Sequence, residues 1–476
     1  MKLLSANLVK SSLQAHSWLG LFVGGLMYLI CLTGTIAVFY LEIERWEQPL
    51  ADEYKSLDPE LIQTSFNNYV QSLDKTGEHL YVVFPGEAIP RIKFASDSQA
   101  QYLNDDGSIG PAAHDDWSHL ITGLHINLHL PVNIGIVMVS IVGVLFLGLI
   151  ISGFLAHPTI FKDAFSWRRS NSERMAEVDL HNRLSVWGAP FHIMIAITGA
   201  YFGLVGLLIL GAAEAFYDGD RDAVTSEFFS PEPQLQGQPL EANLVKPLDY
   251  LAGEVPEGEL LFMVIHDAES EQRFQEYYVQ MPGRMIYSEN YRFDMSGNYI
   301  DRAGYSDGSV AQQVVYSIYR LHFGHFGGLG TKLLYVALGL ALTVVSVSGV
   351  NIWLLKRKKQ DAINRLWVGI VWGTPLALLL TAITQVLFHL PSTAIFWGGL
   401  LAVCAIAGCL GEAQRAKHWI KTAISLAAVL LLLGYVFKFG TAAFAPAGLT
   451  INLLLLSIFI GFSFPVIKRI ADKKAA

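Results

Sequence analysis

Two stretches decide the fold: HSWLGLFVGGLMYLICLTG, His16–Gly34, and HNRLSVWGAPFHIMIAITG, His181–Gly199. They align without a gap, placing His16 on His181, Leu19 on Leu184 and Thr33-Gly34 on Thr198-Gly199. Further on, Leu124-His125 and Leu321-His322 are followed, with one gap between the copies, by Ser152-Gly153 and Ser348-Gly349. Self-similarity of this kind sets an architecture before any single motif does. The unit is an apolar span, a polar segment and a second span, used twice, at about Ser5–Pro158 and Val178–Arg357. Both copies run in the same direction, so this is a parallel repeat, which packs about an axis along the membrane normal.

Outward from the repeat, composition supports the membrane. The 476 residues are 52% hydrophobic and 16% charged, against about 25% charged in soluble domains. Runs near the roughly 20 residues that cross a bilayer occur at Trp18–Tyr40, Val132–Leu155, Val186–Leu210, Leu333–Leu355, Leu366–Phe388, Ile395–Leu410, Trp419–Phe437 and Leu449–Ile467. The fold class expected is a polytopic α-helical membrane protein of about eight transmembrane helices. Two small periplasmic α+β domains are inserted in the repeat. The first run is followed by LEIERWEQPL, which lacks a small-residue cleavage site, so it reads as a retained anchor and not as a signal peptide.

Charge gives the orientation. Of the 41 acids, 34 lie in Leu41–Ser118 and Gly211–Tyr319, which hold only 11 of the 33 lysines and arginines. The other bases gather in FKDAFSWRRSNSER, KRKKQDAINR, EAQRAKHWIK, KRIADKKAA and the N-terminal tail. Alternating spans put all of these on one side, which the positive-inside rule makes the cytoplasm. The expected division is a first span in 1–40, a polar domain in 41–118, a second span in 119–158, a loop in 159–185 and a third span in 186–210. A second polar domain in 211–319, a fourth span in 320–357 and a C-terminal four-helix bundle in 358–476 follow. In the polar domains HLYVVFP, RIKFAS, ELLFMVIH and QEYYVQMPG read as strands, with turns at YLNDDGS and RFDMSGNYI. Cys31, Cys404 and Cys409 fall in apolar spans, so no disulfide framework is available.

Topology then sorts the 14 histidines. His16, His157, His181 and His192 lie at or just inside the cytoplasmic boundary. His125, His129, His322 and His325 lie at the opposite boundary of spans two and four. An interfacial imidazole commonly bonds only water, headgroups or backbone, but ionisable residues at spans are functional candidates, and these come in repeat-related pairs. No carboxylate or thiolate stands beside them to complete a closed metal site, whereas haem needs only one or two axial imidazoles. Residues on one helix face cannot reach both sides of one iron, so the pairs come from different helices. His125 with His322 would form one pair, and His16 with His181, or with His192, the other. There is no C-x-x-C-H for covalent haem and no strand–G-x-G-x-x-G–helix unit for a flavin or nicotinamide. The electrons would therefore come from a quinol or a cytoplasmic reductase.

HSWLGL, LHINLHLP, DLHNRLSVWGAPFHIMIAITGA and RLHFGHFGGLGTKLLYVALGLAL, together with FDMSGNYI, resemble the PepSY-associated transmembrane family over about three-quarters of the chain. The resemblance implies a bacterial inner-membrane protein with PepSY-like periplasmic domains, and the charge distribution is what puts both termini in the cytoplasm. The resemblance also implies two b haems and reduction of ferric siderophores or other ferric chelates in the periplasm. It carries over to His16, His125, His181 and His322. His192 falls in a matching stretch, and His325 stands where the family pattern has arginine. Cofactor contact is thus expected from His16, His125, His129, His181, His192, His322 and His325, with haem iron bound through His125, His322, His16 and His181. Membrane lipid is an expected partner and nucleic acid is not. The alternatives are a PepSY-bearing binding or regulatory protein, and a component of iron or siderophore transport.

Overall fold

Lipid offers the backbone no hydrogen-bond partner, so an apolar chain in a bilayer satisfies its amides internally as helix. In the computed structural model, which describes residues 5–165 and 172–475 with side chains to residue 463, eight helices are long and apolar enough to cross a membrane. Residues 166–171, part of one basic stretch, and the side chains of the C-terminal basic stretch lie outside the described residues. In chain order the first helices are α1 (Ala6–Ala37), α2 (Tyr40–Glu47), α3 (Pro59–Gln71), α4 (Asp116–Ile126), α5 (Val132–Ala156) and α6 (Ile160–Ala164). Then come α7 (Glu173–Trp187), α8 (Ala189–Phe216), α9 (Arg221–Ser226), α10 (Val245–Glu254) and α11 (Val310–Phe323). The last are α12 (Gly328–Arg357), α13 (Ala362–Phe388), α14 (Ser392–Cys409), α15 (Ala413–Phe439) and α16 (Pro446–Ala475).

The chain divides into two compact units. The helical unit comprises Met1–Glu47, Asp115–Val205 and Gly327–Ala476. The sheet unit comprises Gln48–His114 and Gly206–Phe326. In the helical unit, Val23, Met27, Phe146 and Leu342 form a core that joins α1, α5 and α12. A second core centres on Trp46, whose ring stacks on Tyr435 at 4.6 Å and tilts against Trp117 at 5.7 Å. The polar ends are also met: Trp46 Nε1 donates to Asn452 Oδ1 at 3.0 Å and Trp117 Nε1 to the Leu378 carbonyl at 3.0 Å. This core ties α2 and α4 to the C-terminal helices.

The sheet unit departs from the expectation of two separate small domains. Strands β1 (Leu80–Val83), β2 (Lys93–Ser96), β3 (Ala100–Leu103) and β4 (Ile109–Ala112) follow α3, and β5 (Glu259–His266), β6 (Phe274–Gln280), β7 (Glu289–Phe293) and β8 (Tyr299–Ala303) follow α10. All eight form one antiparallel sheet in the order β4-β3-β2-β1-β5-β6-β7-β8. The seam is β1 against β5, with Leu80 opposite Ile265 and Val83 opposite Phe262. A four-stranded meander leaves its first strand with one unpaired edge, and pairing two such edges satisfies both rows of amides. Phe66, Phe94, Met263, Tyr277 and Phe293 share one core, so the two segments fold as one body. The turns fall where expected, with Gly107 and Gly297 at φ +82° and +81°, a conformation glycine adopts without strain.

The run 320–357, expected as a single span, is two helices: α11 ends at Gly324, whose φ is +73°, and α12 starts at Gly328. The second span is likewise preceded by the separate helix α4. The chain turns between α4 and α5 through Leu128 and His129, both left-handed at φ 57° and 56°.

Candidate functional site

His16 and His181 lie on α1 and α7, and each ring leans on the helix that ends its own repeat. His16 Nδ1 is 3.0 Å from the Leu149 carbonyl and 3.3 Å from Ser152 Oγ. His181 Nδ1 is 3.1 Å from the Val345 carbonyl and 3.1 Å from Ser348 Oγ. A carbonyl only accepts, so both rings carry their proton on Nδ1, and the neutral imidazole keeps its lone pair on Nε2. Fixing the tautomer from behind in this way is the usual support of a metal-binding histidine.

The Ser-Gly pair that recurs in the sequence builds this cradle. The serine supplies the oxygen, and the next residue lets the ring approach. A Cβ on Gly153 would lie 3.2 Å from His16 Cε1, and one on Gly349 would lie 3.4 Å from His181 Cε1. The two ring centroids are 6.2 Å apart, with planes at 81°.

Both rings line a cavity of about 600 Å³ within the helical unit, along with His157, His192, Arg174 and Lys356. Its walls include the apolar side chains of Met27, Phe146, Leu149, Ile150, Val345 and Val350. His192 is 2% exposed, and its Nε2 has no hydrogen-bond partner among the described residues. Its ring bonds the Leu338 carbonyl. That carbonyl lies two turns along α12 from the one that holds His181, roughly 10 Å. Gly188 makes room for it, since a Cβ there would lie 2.4 Å from Nε2. A buried imidazole nitrogen without a partner costs about 1–3 kcal/mol, which a ligand would offset.

The remaining predicted residues are elsewhere. His125, on α4, holds the Ile30 carbonyl through Nδ1 at 2.9 Å, with Gly34 beneath its ring. About 21 Å of α1 separates His16 from Ile30, so the helical unit carries two histidine levels. His129 uses both of its ring nitrogens within the protein. Nε2 donates to the Leu120 carbonyl at 2.9 Å, and Nδ1 accepts from Trp397 Nε1 at 3.2 Å. Burial holds its pKa below the ordinary imidazole value, consistent with a neutral, structural ring. His322 and His325 belong to the sheet unit, in a run of aromatic rings. There Tyr319 stacks on Phe323 at 4.3 Å, and Phe323 lies 5.8 Å from His325 and 5.6 Å from His322.

Sequence reasoning missed the orienting role of Ser152 and Ser348, for which the repeated Ser-Gly was the available signal. It also missed Glu47, whose carboxyl group accepts from the Trp117 and Ser118 backbone amides at 2.7 and 3.1 Å and so holds the start of α4.

Residues 13–356 match the family described as the PepSY-associated TM region. Over 252 residues the chain is 27% identical to an uncharacterized protein of Pseudomonas aeruginosa. That match covers 49% of this chain and 63% of the relative, less than two thirds of its length.

Proposed function

Because the chain belongs to the PepSY-associated transmembrane family, we propose that it is an electron-transfer protein of the membrane, with a b-type haem held by His16 and His181. The observation that carries this reading is the repeat-related pair of imidazoles, each with Nδ1 tied to a carbonyl and a serine and both facing one cavity. The residues fit the group. His16 and His181 would hold the iron, their ring centroids being 6.2 Å apart with both rings on one cavity. Arg174 and Lys356, which line the cavity, would pair with the carboxylates of a haem. A bound haem supplies a one-electron couple. The protein's own part is to fix the tautomer of each ring, to exclude water with apolar walls, and to present the third imidazole, His192, as the alternative ligand.

His125 would be a ligand of a second haem, a reading supported by its ring being oriented through Nδ1 as at the first site. We extend the reading to reduction of ferric chelates, siderophores among them, at the periplasmic face of a bacterial inner membrane, with electrons from a quinol or a cytoplasmic reductase. Adding an electron lowers the charge on iron and weakens its attraction to anionic oxygen donors, so release needs no nucleophile. The scarcity of lysine and arginine in the two polar segments, 11 of 33, supports that orientation.

The test is the optical spectrum of detergent-purified protein, oxidised and then dithionite-reduced, with haem counted per chain. We expect sharp b-type bands that reoxidise on adding a ferric chelate. His16→Ala should remove one haem and leave the other. Retention of the first haem in His181→Ala, with its loss in His192→Ala, would move the second ligand to His192. Colourless protein from haem-replete cells would overturn the reading.

A further inference from the structure

The C-terminal helices carry a cationic feature that electron transfer does not use. Lys417 and Lys421 stand one turn apart on α15, half-buried, and both reach the same ring. Lys421 Nζ lies 4.0 Å from the centroid of Trp372 on α13 and 5.8 Å from that of Phe462 on α16. Lys417 Nζ lies 5.7 Å from Trp372. Three helices thus converge on two ammonium groups.

Neither lysine makes an ion pair or donates a hydrogen bond among the described residues, in contrast to other cations of this unit. Lys332 pairs with Glu42 at 2.5 Å, Lys438 donates to the Val386 carbonyl at 2.6 Å, and Arg365 donates to the Gly408 carbonyl at 2.9 Å. An ammonium has three donors, and a cation–π contact satisfies none of them as a hydrogen bond. Two like charges at i and i+4 also repel. An anion able to accept from both would satisfy the free donors and offset the repulsion.

We propose that this pair binds the phosphodiester headgroup of an anionic phospholipid. Two observations select a lipid as the source of the phosphate. The lysines lie within a helix apolar enough to span the membrane. The rings they meet, Trp372 and Phe462, stand on two further helices that are apolar enough to span it, so the pair sits where three such helices meet. A tryptophan beside the cations marks the headgroup level, where this residue is enriched. Basic pockets between spanning helices are a recurrent way to hold acidic lipid headgroups.

The experiment uses the full chain in detergent. Phosphatidylglycerol, phosphatidylcholine or inorganic phosphate is added, and bound lipid is counted by native mass spectrometry alongside the shift in Tm. Phosphatidylglycerol should bind and raise Tm, with affinity falling about fivefold for each lysine removed in K417Q, K421Q and the double variant. The arginine variants K417R and K421R should keep it. Because the readout is the shift caused by lipid in each variant, a change in basal stability does not mimic the result. Equal binding of phosphatidylcholine, or undiminished binding by the double variant, would overturn the proposal. A shift reproduced by inorganic phosphate would overturn the lipid assignment in favour of a free anion.

Discussion

One serine and one glycine in each repeat decide what the neighbouring histidine can do. A Cβ at Gly153 would crowd the His16 ring by a few tenths of an ångström and one at Gly349 would just touch the His181 ring, whereas without the oxygens behind it either ring would be free to carry its proton on either nitrogen. Replacing both serines, S152A with S348A, leaves the two carbonyls as the only supports. We expect haem retention to weaken up to about tenfold, the low end for loss of such a support, measured by haem titration into the apoprotein. Unchanged retention would mean that the carbonyls suffice. At this scale the sequence named His16 and His181 and predicted their meeting. It was silent on the tautomer, because a backbone carbonyl leaves no trace in residue type. For the same reason His129 could not be told from a ligand: its two partners, Leu120 and Trp397, are set by a left-handed turn and by a helix far along the chain.

Among the elements, α4 shows how a short helix that carries a histidine is held. Asp115 occupies its N-cap without a side-chain bond, and Glu47, at the end of α2, does the capping instead. Burial raises the Glu47 carboxyl to about 8, only partly opposed by the bonds from Trp117 and Ser118. Folded Glu47 therefore keeps its proton over a range in which the unfolded chain, near pH 4.5, has released it. The contribution is full below pH 4.5 and declines as pH rises to about 8. Glu47→Gln should flatten this decline, and Glu47→Ala should cost most near pH 5 and progressively less as pH rises toward 8. Thermal melts between pH 5 and 9 check both, and a Glu47→Gln curve parallel to that of the parent would refute the assignment. The eight long helices were legible from hydropathy alone. The breaks at Leu128-His129 and Gly324 were not, since a left-handed residue before a span does not interrupt an apolar run.

Across the whole chain, the main feature hidden from sequence reading is the seam between β1 and β5. HLYVVFP and ELLFMVIH were each readable as strands, but strand alternation says which face is buried and nothing about which distant strand is the neighbour. Val82 lies in that seam, opposite Met263 and fully buried. Val82→Pro removes a ladder amide and a core side chain. We expect hydrogen exchange to rise together in β2–β4 and β6–β8, because the core is common to both halves. A rise confined to β1–β4 would mean that the halves are independent. One sheet also requires Gln48–His114 and Gly206–Phe326 to share one side of any membrane the chain crosses, and two helices long and apolar enough to cross, α5 and α8, begin between these segments.

The seam also sets a timetable for synthesis. β1 leaves the ribosome well before β5, and at about 5–20 residues per second the wait is roughly 10–40 s. During that interval the edge Leu80-Tyr81-Val82-Val83 is apolar and unpaired, a template on which another nascent chain can dock. The half-made protein, not the finished one, is therefore the species most exposed to aggregation, and a ribosome stalled within the third span would leave it in that state.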